Sequence, residues 1–190
     1  MTFFRRNQSV LYDTSPGRQW FTRLHYGMII FIAFAVFIVS LLYVPFAQRL
    51  VIVEEKTGRI LYAENVRYGD TFTITYIHSV NKSPVDDIFE IQPDYSIMLR
   101  KTVFRSFGAG VPFELEEQQV LNTYEDRIEI DNINRHIDQY LLFVGTTADH
   151  VFSMHGRSIH LNQLTRPQNT VRFEVRRVSV GTLLQLDKNK

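Results

Sequence analysis

The sequence predicts an all-β domain, a single β-sandwich or barrel-like fold, preceded by one N-terminal transmembrane α-helix. Three observations carry this. An uncharged apolar run, YGMIIFIAFAVFIVSLLYVPFA, extends from Tyr26 to Ala47. From Leu50 onward the apolar positions recur with period two rather than 3.6. Short β-branched and aromatic segments then follow one another, separated by Gly, Pro, Asn and Asp, over the remaining chain.

The apolar run holds no Lys, Arg, Asp, Glu or Asn. It matches the roughly 20 apolar residues needed to cross a hydrocarbon core about 30 Å thick. A cleaved signal peptide would have a shorter apolar core and small residues at the cleavage site. Tyr43-Val44-Pro45-Phe46-Ala47 does not match that pattern. Arg5, Arg6, Arg18 and Arg23 precede the run against Asp13, while Arg49 stands alone just after it. The positive-inside rule therefore expects the N-terminus in the cytoplasm and the C-terminal domain on the extracellular or periplasmic side. The expected organisation is a cytoplasmic tail (1–24), a signal anchor (25–47), an extracytoplasmic β-domain (50–182) and a C-terminal tail (183–190).

Charge and cysteine content narrow the function. The whole chain is +1, and residues 1–49 carry five arginines and one aspartate, so residues 50–190 come to −3. A mildly acidic outer domain argues against nucleic acid or an anionic lipid surface as its main partner. The absence of cysteine excludes disulfides, Cys-ligated zinc and a thiol nucleophile together.

Within the outer domain, Leu50–Val53 and Ile60–Tyr62 flank the turn Lys56-Thr57-Gly58-Arg59 as a hairpin. Thr71 to His78 alternates cleanly. Val85–Ile91 and Tyr95–Phe107 follow as extended segments, then Arg127–Ile130, Tyr140–Val144, Val151–Met154, Ser158–Leu161 and Val171–Val178. Pro112 to Asn122 is the one stretch that reads as a short helix.

Residues Thr71 to Gln92 support a specific register. A four-residue loop, Asn81-Lys82-Ser83-Pro84, sets His78 opposite Asp87, Tyr76 opposite Phe89 and Ile74 opposite Ile91, with Ser79 facing Asp86 on the other side. Such a His–Asp pair can be structural, the carboxylate fixing the imidazole tautomer. It can equally orient His78 as a base, a metal ligand or a ligand-binding donor. Ser79 does not complete a triad, because adjacent strand residues point to opposite faces.

Gly108-Ala109-Gly110 followed by Pro112 permits either backbone N–H groups presented to an anion or a tight corner. No Gly-Lys-Ser/Thr follows, so it is not a phosphate loop. His150, His155 and His160 recur every five residues, which does not align them on one strand face. His155-Gly156 reads as a hairpin turn. With no Glu or Cys at ligand spacing, neither a metal site nor a cofactor is expected. Asn81-Lys82-Ser83 is formally a glycosylation sequon, but Pro84 follows directly and it is discounted.

At Gly69-Asp70-x-Phe72, Tyr76-x-His78-Ser79-Val80, Pro84-Val85-x-Asp87 and Phe104-x-Ser106-Phe107-Gly108-Ala109-Gly110-x-Pro112, the chain resembles a bacterial and archaeal family known as domain of unknown function 1850. The resemblance covers most of residues 50–180. The family usually carries glutamate where this chain has Asp87. Its members look like small secreted or membrane-anchored domains, often encoded beside or joined to tripartite ATP-independent periplasmic (TRAP) transporters whose solute receptor is of the TAXI type. The resemblance implies a non-enzymatic accessory of a TRAP-type permease or its solute receptor, acting by protein or solute binding. His78, Ser79, Asp87, Gly108, Gly110 and Pro112 are the candidate binding residues. The alternatives are a hydrolytic or metal-dependent enzyme using His78 and Asp87, or a cell-envelope scaffold.

Overall fold

The computed structural model describes residues 16–106, 111 and 114–188, with no side-chain description for 16–22 and 188. It divides into two units, an N-terminal helix and a β-domain that begins at Val44.

Helix α1 spans Pro16–Tyr43. At 1.5 Å per residue its 28 residues extend about 42 Å. Its part from Arg23 to Tyr43 is long and apolar enough to cross a membrane. The helix starts earlier and ends earlier than the 25–47 segment expected from the apolar run. Pro45 has no N–H to donate and biases Val44 away from helical backbone, so the helix stops at Tyr43, and Ala47 already belongs to the first strand.

The β-domain is built from two antiparallel sheets, with strands β1 (Ala47–Glu54), β2 (Ile60–Asn65), β3 (Thr71–Ile77), β4 (Pro84–Ile91), β5 (Ile97–Phe104), β6 (Val120–Thr123), β7 (Ile128–Asp131), β8 (Arg135–Ile137), β9 (Tyr140–Phe143), β10 (Val151–Met154), β11 (Arg157–His160) and β12 (Thr170–Val178). The smaller sheet runs β2-β1-β12-β9. The larger runs β11-β10-β3-β4-β5-β7-β6, with β8 pairing β5.

The expected all-β fold is observed, and most expected strands fall within a residue or two of their places. Four elements differ, among them β8, which has no expected counterpart. The Pro112–Asn122 stretch contains no helix among its described residues; Val120 and Leu121 instead pair with β7. A short helix, α2 (Leu161–Leu164), follows β11. The expected C-terminal tail is helix α3 (Val180–Lys188), whose Leu183 packs against Val51, Val53 and Val178 on the outer face of the smaller sheet.

The main core lies between the sheets. Leu50, Ile52, Val171 and Phe173 of the smaller sheet meet Phe72, Ile74, Phe89, Ile91 and Phe152 of the larger. Phe72 stacks on Phe89 at 4.9 Å and on Phe173 at 6.1 Å. A second cluster, Val85, Phe104, Ile128, Ile130 and Ile133, continues along the larger sheet and includes no residue of the smaller one.

Candidate functional site

The β3–β4 hairpin positions the site, and its register differs from the expected one. Ile74 lies opposite Asp87, Tyr76 opposite Val85 and Phe72 opposite Phe89, a shift of four residues. An even shift keeps every side chain on its face, so the inward set Phe72, Ile74, Tyr76, Val85, Asp87, Phe89 and Ile91 is unchanged. The cause is that His78 leaves the strand. Its N–H donates to the Ser83 carbonyl at 2.9 Å and its carbonyl accepts from the Lys82 N–H at 3.0 Å. Its Nδ1 accepts weak bonds from the Val80 and Asn81 N–H groups at 3.3 and 3.4 Å. The loop therefore runs from His78 to Ser83, with Lys82 in the left-handed region at φ 53°.

The expected His78–Asp87 contact is thus not formed. The Asp87 carboxylate accepts instead from the Thr102 hydroxyl of β5 at 2.6 Å. Nor does Ser79 face Asp86; Ser79 is exposed in the loop, and Thr75 donates to Asp86 at 2.8 Å while Arg105 pairs with it at 3.0 Å. Gly108, Gly110 and Pro112 lie outside the described residues.

His78 and Asp87 do share a cavity of about 380 Å³. Its strand-borne lining is Tyr76, Asp87, Leu99, Thr102, Phe104 and Ile130. His78 contributes from the hairpin loop, and Ile133 and Arg135 from the segment between β7 and β8 and from β8 itself. Glu114, Glu116 and Gln119 contribute from the chain leading into β6. The cavity coincides with the second apolar cluster, where the smaller sheet adds nothing.

The electrostatics follow from this half-dry setting. Burial pushes the Asp87 carboxyl above its ordinary value, and the neighbouring Asp86 charge adds to the push; the Thr102 hydroxyl and the more distant Arg135 oppose it. The Tyr76 phenol is pushed up to about 12, first by burial and then by the Asp87 charge. Burial and the same aspartate also raise Tyr140. His150 is 7 % exposed, lies 5.9 Å from the Tyr76 ring, and is held below its ordinary value by burial. Its Nδ1 has no hydrogen-bond partner among the described residues.

The other histidines go elsewhere. His155 and Gly156, both at positive φ, form the two-residue turn between β10 and β11, as their sequence suggests. His160 Nδ1 lies 2.9 Å from Asp149. Among the described residues no three His, Cys, Asp or Glu side chains cluster to hold a metal ion.

Sequence reasoning missed Thr102 and Arg135, and it noted His150 only as one of three evenly spaced histidines. Thr102 had only an ambiguous signal, because alternation puts it between Arg100 and Phe104, and a bulge in β5 brings Leu99 onto its face instead. Arg135 had none, since it is brought in from a distant segment.

No curated protein and no solved structure matches this chain. One family does. Residues 72–161 match the family described as Domain of unknown function (DUF1850), a narrower stretch than the 50–180 resemblance. It runs from β3 through β11 and includes every described residue that lines the cavity. The chain therefore carries a DUF1850 domain, preceded by an apolar helix long enough to anchor it in a membrane.

Proposed function

We propose that this protein is a single-pass, membrane-anchored binding domain, with its N-terminus in the cytoplasm and its β-domain outside, that serves a TRAP-type transporter as an accessory. The observation that carries the binding role is the cavity at Tyr76, Asp87 and Thr102. These three polar groups converge there beside the apolar side chains of Leu99, Phe104, Ile130 and Ile133, and charged and polar residues from the loops complete a concave lining suited to a small molecule. The arginine-rich flank of the apolar helix supports the orientation. The family resemblance supports the transporter setting, with the permease or its solute receptor as the partner.

The enzyme alternative has less support. It expected His78 and Asp87 to act as a pair, and His78 Nδ1 is engaged by its own loop while Asp87 is held by Thr102.

Affinity purification of the full-length protein from its native membrane tests the partner. Recovery of a transporter permease or its receptor is expected; a reproducible absence of both favours a free-standing scaffold or binding domain. Deleting residues 50–190 should then reduce solute uptake while the permease persists, and unchanged uptake would count against the accessory role.

A further inference from the structure

Which class of molecule the cavity takes is set by Asp87, the carboxylate on its sheet floor, which has no counter-ion among the described residues. Most carboxylates near it on the larger sheet have a cation. Asp86 pairs with Arg105, Glu90 with Arg100, and Glu129 with Lys101 and Arg127. Asp87 makes no ion pair with any described residue, and its one hydrogen bond comes from a neutral hydroxyl. Arg135 reaches the cavity, but its guanidinium is 3.7 Å from Glu116, and both side chains are largely exposed. The charged lining comprises Asp87, Glu114 and Glu116 against Arg135, so the field inside favours a positive guest and opposes carboxylates and phosphates.

The remaining surface suits the same guest. Tyr76 and Phe104 offer aromatic rings, whose faces attract a cation. Leu99, Ile130 and Ile133 offer an apolar wall for an aliphatic stem. The volume lies at the small end of the range for ligand sites.

Resting on the reading of this cavity as a ligand site, we propose that it binds a small organic cation, an alkyl or quaternary ammonium, with Asp87 as counter-ion and Tyr76 and Phe104 as its aromatic neighbours. The bound cation supplies the charge partner that the fold leaves out. Thr102 holds the carboxylate from the sheet side during binding.

Ligand-observed NMR on the full-length protein in detergent tests this with four probes of similar size: butylammonium, choline, butyrate and butanol. The two cations should bind, and butyrate should bind about tenfold more weakly or not at all. Asp87→Asn should weaken cation binding by about tenfold or more, since it removes the counter-ion and keeps the shape. Ile133→Trp, which fills the cavity from its edge, should abolish all binding, with circular dichroism confirming that both variants fold. Butyrate binding as well as the cations, or cation binding indifferent to Asp87→Asn, would overturn the cation assignment. If such binding is still blocked by Ile133→Trp, the cavity remains a ligand site for another class. If no probe binds, or binding survives Ile133→Trp, the cavity reading falls together with the cation assignment.

Discussion

Phe89 and Asp87 are two residues apart on the same face of the same strand, yet they occupy opposite kinds of environment. Phe89 is fully buried, stacked on Phe72 at 4.9 Å and beside Tyr140 at 4.8 Å, under the smaller sheet. Asp87 faces the cavity, beyond the cluster to which that sheet contributes. One hairpin thus runs from a sealed core into an open pocket. Rigid packing at the first end fixes the backbone that presents the carboxylate at the second. Stability and binding are separated along the strand by about 7 Å of chain.

The largest expected effect comes from breaking the sealed end. Phe89→Ala removes a ring from the centre of the core and should cost about 3–5 kcal/mol, measured by urea denaturation of the full-length protein in detergent. A loss under about 1 kcal/mol would show that the smaller sheet does not close over this position.

A second carboxylate sharpens the comparison. Glu54, at the end of β1, is as buried as a core residue, but it accepts from Thr57 at 2.7 Å, Thr165 at 3.0 Å and Asn169 at 3.1 Å. Those bonds, with the Thr57 hydroxyl foremost, hold its carboxyl below the ordinary value of 4.5. Its contribution to stability is therefore complete above that value and is lost as pH falls through the lowered one. Glu54→Gln turns an amide N–H₂ toward groups that are themselves donors. It should lower the melting temperature by several degrees at neutral pH and flatten the acid limb of the stability profile. An unchanged acid limb would mean that Glu54 is not the group that titrates there.

Much of this arrangement was legible in the residues. Alternation from Thr71 to Ile91 identifies β3, β4 and their inward faces, because a one-residue slip would expose Phe72 and Phe89 together. Alternation cannot detect a slip of four, which preserves every face. The true register is decided by His78, which bonds its own loop instead of crossing to Asp87. That choice depends on local backbone geometry around Lys82, which no pattern of residue types encodes. The same limit hid β6, β8 and α3. The short strands make sense only once β5 and β7 offer them an edge, and α3 only once Val51 and Val53 present an outer face.

Asp87 should respond to pH in the opposite sense from Glu54. Its folded-state value lies above the ordinary 3.8, so the folded chain binds the proton more tightly than the unfolded one. Stability then falls as pH rises from 3.8 through the raised value, and stays lower above it. Asp87→Asn keeps an acceptor for Thr102 and removes the charge. It should raise the melting temperature at neutral pH by about 2–4 °C and erase that slope, while weakening cation binding. A lowered melting temperature would mean that the carboxylate is paired within the fold after all.

The smallest effect is expected at His78, and it bears on the enzyme alternative. Its imidazole lines the cavity, yet its Nδ1 serves the loop through bonds of 3.3 and 3.4 Å, at the long end of the hydrogen-bond range. Asn places a side-chain carbonyl oxygen where Nδ1 stands, able to accept the same two N–H groups, so His78→Asn should cost less than about 1 kcal/mol. Cation binding should change far less than in Asp87→Asn, because the counter-ion and its Thr102 support are untouched. A catalytic base would behave otherwise: the fold and the binding would survive while a measured turnover vanished. Such a result would move the chemistry of this cavity from the carboxylate to the imidazole, and with it the division between the sealed and open ends of the hairpin.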